Sequence, residues 1–162
     1  MKKLLVGLAL VIVLTLIFYI SIYKHLGFSS ISSFSVKEVE TGFVTKVIDG
    51  DTIIVRGESI RLLGIDANEK GEKCYKEAKT KMEGLVLNKE VILEKDVKDK
   101  DQYKRLLRYV FVEEDGIKIN VNLILVKDGL AIARFYEDKK YKKEILEAEI
   151  KARENKIGCK WN

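Results

Sequence analysis

Asp49-Gly50-Asp51-Thr52-Ile53-Ile54-Val55-Arg56-Gly57-Glu58-Ser59-Ile60-Arg61-Leu62-Leu63-Gly64-Ile65-Asp66-Ala67-Asn68-Glu69 is the stretch from which the fold is read. Asp49-Gly50-Asp51 is a turn signal, and Thr52 to Val55 is β-branched throughout, as a strand prefers. Arg56-Gly57-Glu58-Ser59 turns the chain again, and Ile60 to Ile65 gives a further strand. Upstream, Glu38 to Ile48 alternates polar and apolar residues, the period of a half-buried strand. Three strands joined by short turns predict a meander. The chain contains no proline, so its turns depend on Gly, Asn and Asp.

Downstream, Glu72 to Leu87 carries Tyr75, Ala78, Met82 and Leu85-Val86 three to four residues apart, which predicts a helix ended by Asn88-Lys89. Glu90 to Lys95 and Leu106 to Val112 read as two more strands around the charged loop Asp96–Asp101. A short helix is expected from Val121 to Lys127, with Gly129 placed to take the left-handed conformation that closes it. A last helix is expected from Asp138 to Asn155, with Tyr141, Ile145, Ala148 and Ala152 on one side. The expectation is a mainly β fold with helices: a five-stranded barrel of the OB type with about three helices. Residues 39–162 form this domain, which is within the size of a single folding unit.

The N-terminus has a different character. Lys2-Lys3 precede an uncharged apolar run from Leu4 to about Tyr23, long enough for a bilayer core. Residues 1–23 are therefore read as a transmembrane helix that stays attached, with a cleaved secretory signal as the alternative. The lysines ahead of the run keep the N-terminus in the cytoplasm and place the domain outside the cell. Residues 24–38, rich in serine, read as a linker. Of 30 basic side chains, Lys2, Lys3 and Lys24 fall in residues 1–34, against no acids, so the rest of the chain sets 27 basic groups against 25 acidic ones. That near balance is weak support for nucleic-acid binding by bulk charge.

No single group in the chain names a chemistry. Asp49-Gly50-Asp51 alone is an ordinary turn, Arg61 alone a surface charge on a strand, Glu69-Lys70 a solvated loop, and Arg105 and Arg108 plain exterior charges. The order of the groups carries more. Asp-Gly-Asp-Thr at 49–52, Arg-Leu-Leu-Gly-Ile-Asp-x-x-Glu at 61–69 and Asp-x-Tyr-x-Arg-x-Leu at 101–107 together resemble the staphylococcal nuclease-like (thermonuclease) family. The likeness runs from about residue 39 to the end, through Gly129-Leu130-Ala131 to Trp161.

The resemblance implies an OB-fold barrel that hydrolyses phosphodiester bonds of DNA and RNA with one calcium ion. Carried over by position, Asp51 and Asp66 are similar to the carboxylate metal ligands, and Ala67 stands where the family uses a main-chain carbonyl. Glu69 resembles the general base. Arg61 and Arg105 resemble the two arginines on the phosphate, and Tyr103 the tyrosine near the nucleotide. The chemistry suits the residue types. Attack on a phosphodiester gathers negative charge, which a hard cation on oxygen ligands and planar guanidinium forks neutralise. The one histidine, His25, lies in the linker, so no His/Cys cluster offers a zinc site. In three places the sequence departs from the family: Ala67 stands where a threonine or similar residue is frequent, Asn68 stands where a proline is frequent, and Lys104 replaces a glycine beside Arg105. If residue 104 requires a positive φ, lysine is strained there.

Cys74 and Cys159 are the only cysteines. Outside the cell they fit one disulfide, and in a reducing compartment they are two independent thiols. The expected partners are a DNA or RNA substrate and, through residues 1–23, a membrane, with the chain acting as a monomer. The competing expectation is a non-catalytic OB-fold module that binds nucleic acid or a partner.

Overall fold

The computed structural model of the chain describes residues 12–22 and 40–162. The chain divides into two units, Met1–Glu38 and Val39–Asn162. In the first, residues 12–22 are helical and exposed. Among the described residues no helix is long and apolar enough to cross a membrane. The rest of the apolar run, and the linker expected over 24–38, lie outside the described residues.

In the second unit, eight strands and four helices follow one another. They are β1 (Glu40–Val47), β2 (Thr52–Val55), β3 (Glu58–Leu62), β4 (Ile65–Ala67), α1 (Tyr75–Val86), β5 (Glu90–Glu94), β6 (Leu106–Glu114), β7 (Ile117–Asn120), α2 (Val121–Lys127), β8 (Ala131–Ala133), α3 (Lys142–Glu154) and α4 (Gly158–Trp161). The meander β1-β2-β3 pairs antiparallel as expected, with Val47 opposite Ile53 and Thr52 opposite Arg61. β5 joins the other edge of β1 and pairs with β6. A parallel pairing of β3 with β6, Arg61 opposite Leu107, then closes five strands into a barrel. Its core holds Val44, Ile53, Ile60, Leu62, Val91 and Val110, all essentially inaccessible. Closure leaves no free edges among these strands.

The helices cover the barrel with the faces their periodicity assigns. Ala78, Met82 and Val86 of α1, and Ile145, Ala148 and Ala152 of α3, are buried. α2 keeps the expected bounds. Asn120 caps it by accepting from the Leu123 amide at 3.1 Å, and Gly129, at φ 61°, ends it. A Cβ at Gly129 would lie 1.8 Å from the Ile157 carbonyl oxygen, so glycine also admits the C-terminal segment.

Several expectations are corrected. The strand expected over Ile60–Ile65 breaks at Gly64, whose φ of 75° turns the chain out of the sheet. Its second half becomes β4, which pairs with β8 in a separate two-stranded sheet. α1 starts at Tyr75 instead of Glu72, because Cys74 sits at φ 72° and cannot continue a right-handed helix. α3 starts at Lys142 instead of Asp138. Asp138 is buried and accepts from the Val97 and Lys98 amides at 2.9 and 3.0 Å, which holds it in a loop contact. β7, a hairpin partner of β6, and the short α4 were not expected. Arg108, read as an exterior charge, is buried and paired with Glu40 at 2.7 Å and Asp99 at 3.0 Å.

Candidate active site

Strand pairing assembles the first part of the site. The antiparallel β2–β3 ladder sets Thr52 opposite Arg61, so Asp51 enters the sheet beside that arginine. The Leu62 amide donates to the Asp51 carbonyl at 2.8 Å, which fixes the turn. The parallel β3–β6 ladder sets Arg61 opposite Leu107. Arg105 lies in the loop immediately before β6, two residues ahead of Leu107. Arg61 and Arg105 line one cleft.

Beyond Gly64 the chain must return to the same place, and buried Asn122 of α2 anchors it. The Asn122 amide donates to the Leu63 carbonyl at 2.8 Å, while its oxygen accepts from the Val110 amide at 2.9 Å. β4 then carries Asp66 and Ala67 back against Asp51. The Ala67 amide donates to Asp51 Oδ2 at 2.7 Å, so at Ala67 it is the N–H, and not the carbonyl, that meets Asp51. Arg61 Nη2 lies 3.1 Å from Asp51 Oδ2 and 2.9 Å from Asp66 Oδ1. Arg61 Nη1 donates to the Leu62 and Ile65 carbonyls at 2.9 and 3.0 Å. Four bonds thus hold a guanidinium only 15% exposed. Thr52 Oγ1 donates to Asp51 Oδ1 at 3.1 Å. Burial pushes the Asp51 carboxyl up to about 6, against the pull of Arg61 and the Ala67 amide.

Arg105 is held by the loop before β6. Asp101 Oδ1 accepts from the Tyr103 and Arg105 amides at 2.9 and 3.0 Å, and Asp101 Oδ2 lies 2.6 Å from Arg105 Nε. Lys104 sits at φ 66°, the conformation for which a glycine is suited. The Arg105 guanidinium lies 5.4 Å from the centroid of the Tyr103 ring, which is 70% exposed. Burial would raise the Asp101 carboxyl, but the bonds from Arg105 and the Tyr103 amide hold it below the usual range.

Glu69 lies on the loop between β4 and α1. Its amide donates to Glu72 at 2.9 Å, and its exposed side chain makes no hydrogen bond among the described residues. The loop is tied to the C-terminus three times. Cys74 is disulfide-bonded to Cys159, Lys160 Nζ donates to Asn68 Oδ1, and Lys73 Nζ donates to the Asn162 carbonyl. The disulfide decides the alternative left open by the sequence. Burial lowers the Lys160 ammonium, against the pull of Asp66, Glu72 and Asp51.

A cleft of about 600 Å³ is lined by Arg61, Asp66, Glu69, Tyr103 and Arg105, with Asp51 and Ala67 behind Arg61 and outside the lining. The sequence reading missed Arg134 and Tyr136, which line it too. Arg134 Nη1 lies 2.7 Å from Asp66 Oδ2, and Arg134 Nε donates to the Tyr136 hydroxyl at 2.8 Å. No local signal marks residue 134. It reaches Asp66 because β8 pairs with β4, Ile132 opposite Asp66.

The family described as Staphylococcal nuclease homologue matches residues 59–162. The chain is 32% identical to a thermonuclease of Staphylococcus hyicus over 96% of each chain. It is 31% identical to a thermonuclease of Staphylococcus intermedius over 98% of each. It is 34% identical to a micrococcal nuclease of Shigella flexneri over 72% of this chain and 71% of that one. The motif order, the closed barrel and these matches agree, and the chain belongs to the staphylococcal nuclease homologue family.

Proposed function

We propose that the chain is a calcium-dependent endonuclease that hydrolyses phosphodiester bonds of DNA and RNA. The observation that carries this reading is the convergence of Arg61, Asp66, Glu69 and Arg105 on one open cleft, with Asp51 bonded behind Arg61. Relatives named thermonuclease and micrococcal nuclease support it.

The donor set fits the proposed ion. Asp51 and Asp66 present oxygen atoms within about 3 Å of one guanidinium nitrogen, so a single positive group already bridges them. Among the described residues no group of three or more His, Cys, Asp or Glu gathers as a metal site. Asp51 and Asp66 would hold the cation, with water completing an all-oxygen shell that suits calcium better than zinc. When bound, the ion supplies charge neutralisation at phosphoryl oxygens.

The chain's own residues do the rest. Glu69, exposed to the cleft, takes a proton from the attacking water. The water oxygen forms a bond to phosphorus as the bond to one sugar oxygen breaks, and that oxygen leaves with a proton from solvent. Arg105 offers its guanidinium to the phosphoryl oxygens as their charge grows, and Arg61 would join it through the Nη2 protons that Asp51 and Asp66 now hold, once a cation takes those carboxylates, an effect worth roughly 10²–10³ in rate per donor. Tyr103, beside Arg105, presents an exposed ring to a base.

The test is cleavage of single-stranded DNA and of RNA by the full chain in Ca²⁺ and in chelator. Turnover should require the cation. Glu69→Gln should lower kcat by roughly 10² or more while oligonucleotide binding persists. Binding without turnover in any divalent cation would make the barrel a nucleic-acid-binding module instead.

The N-terminal apolar run would anchor the chain with its domain outside the cell, or direct its secretion. The Cys74–Cys159 bond supports an oxidising compartment. Membrane fractions extracted with alkaline carbonate should retain the full-length chain if it is anchored, and the soluble domain should elute as a monomer in size exclusion.

A further inference from the structure

Two tyrosine–arginine pairs line the cleft, and the reading above uses only one. Arg105 lies by Tyr103, and Arg134 lies 5.8 Å from the centroid of Tyr136, itself 71% exposed. The backbone of Arg134 is fixed, since its amide donates to the Gly64 carbonyl at 2.9 Å, but its side chain is 52% exposed. Nη1 meets Asp66 and Nε meets the Tyr136 hydroxyl, while Nη2 has no partner among the described residues.

The Asp66–Arg134 pair has little structural value. Ion pairs this exposed add little stability, and Asp66 is already held by Arg61 through its other oxygen. Arg61 and Arg134 therefore sit on opposite oxygens of one carboxylate. Bulk charge does not draw a polyanion here either, because acidic side chains, Asp66, Glu69 and Glu137 among them, share the lining with the arginines. Phosphate must be met by individually aimed forks, and Arg134 is a planar one on a rigid backbone with a free face.

We propose that Arg134 is a further substrate-binding residue, which takes a phosphate of the nucleic-acid strand next to the one being cleaved. The proposal rests on the nuclease reading of the same cleft. It predicts that the site grips more than one phosphate, so that affinity rises with strand length.

The test measures binding of a thymidine dinucleotide, with one phosphodiester, and a thymidine pentanucleotide. The full chain is used in Ca²⁺ with Glu69→Gln as the common background to prevent cleavage. The background chain should bind the pentanucleotide more tightly. Adding Arg134→Gln should shrink that gain about tenfold, as loss of a charge-assisted hydrogen bond does. It should also lower the salt slope of pentanucleotide binding by about 0.7, the share of one phosphate contact on a single strand. Arg134→Lys should restore the salt slope but only part of the affinity, and thermal melting checks that each variant is folded. An unaltered length gain and salt slope in Arg134→Gln would overturn the proposal and leave the nuclease reading intact, as would a background chain that binds both ligands equally. Failure of the background chain to bind either ligand, with no cleavage by the wild type, would overturn both.

Discussion

At the scale of single residues, the site combines groups held tightly with groups held loosely. Arg61 is fixed by two carboxylates and two carbonyls, and Glu69 by nothing beyond its backbone. A fixed guanidinium loses little freedom when phosphate arrives, and a free carboxylate can reach water. In the loop before β6, Lys104 carries a backbone cost. At φ 66° a non-glycine residue costs about 1 kcal/mol, and the Asp101 bonds on either side hold it there. Lys104→Gly should therefore raise stability by up to about 1 kcal/mol, less the entropy that glycine adds to the unfolded chain. Urea unfolding should show a higher midpoint at unchanged slope, and the position of Arg105 should not alter.

At the scale of elements, the start of α3 is held by β5. Glu94 of β5 accepts from the Tyr141 hydroxyl at 3.1 Å and pairs with Lys140 and, at 3.3 Å, with Lys118. Tyr141 also stands edge-on to Tyr109 at 4.7 Å. Burial would raise the Glu94 carboxyl, but the bonds from Lys140, Tyr141 and Lys118 outweigh it and hold the group below the usual range. A carboxyl lowered on folding adds stability above its unfolded pKa and loses it as pH falls through the folded one. Glu94→Gln should be less stable than wild type at neutral pH. The gap should close on acidification below the ordinary glutamate range, and melting at a series of pH values measures it.

For the domain as a whole, the Cys74–Cys159 bond spans 85 residues and joins the loop of Glu69 to the C-terminal segment. Cross-linking a loop of that length stabilises by about 4 kcal/mol through the unfolded state. Cys74→Ser with Cys159→Ser should lower unfolding free energy by up to that amount. Lys160 and Lys73 still tie the loop in this variant. Its kcat should therefore fall less steeply than its stability, a comparison made on the same preparation below its melting range.

Local pattern in the sequence determined the first two strands of the meander, the bounds of α2, the buried faces of α1 and α3, and the order of Asp51, Arg61, Asp66, Glu69 and Arg105. The elements are written in neighbours two, three or four residues apart, which periodicity reports directly, and the site residues in the linear order of three short motifs. Tertiary structure decided what rests on distant residues. Closure of β3 on β6 put Arg61 and Arg105 in one cleft. Pairing of β4 with β8 brought Arg134 to Asp66. Asp138 left its helix for amides some forty residues upstream in sequence. These contacts join segments whose own patterns are satisfied equally well by other partners, so only the folded chain selects among them.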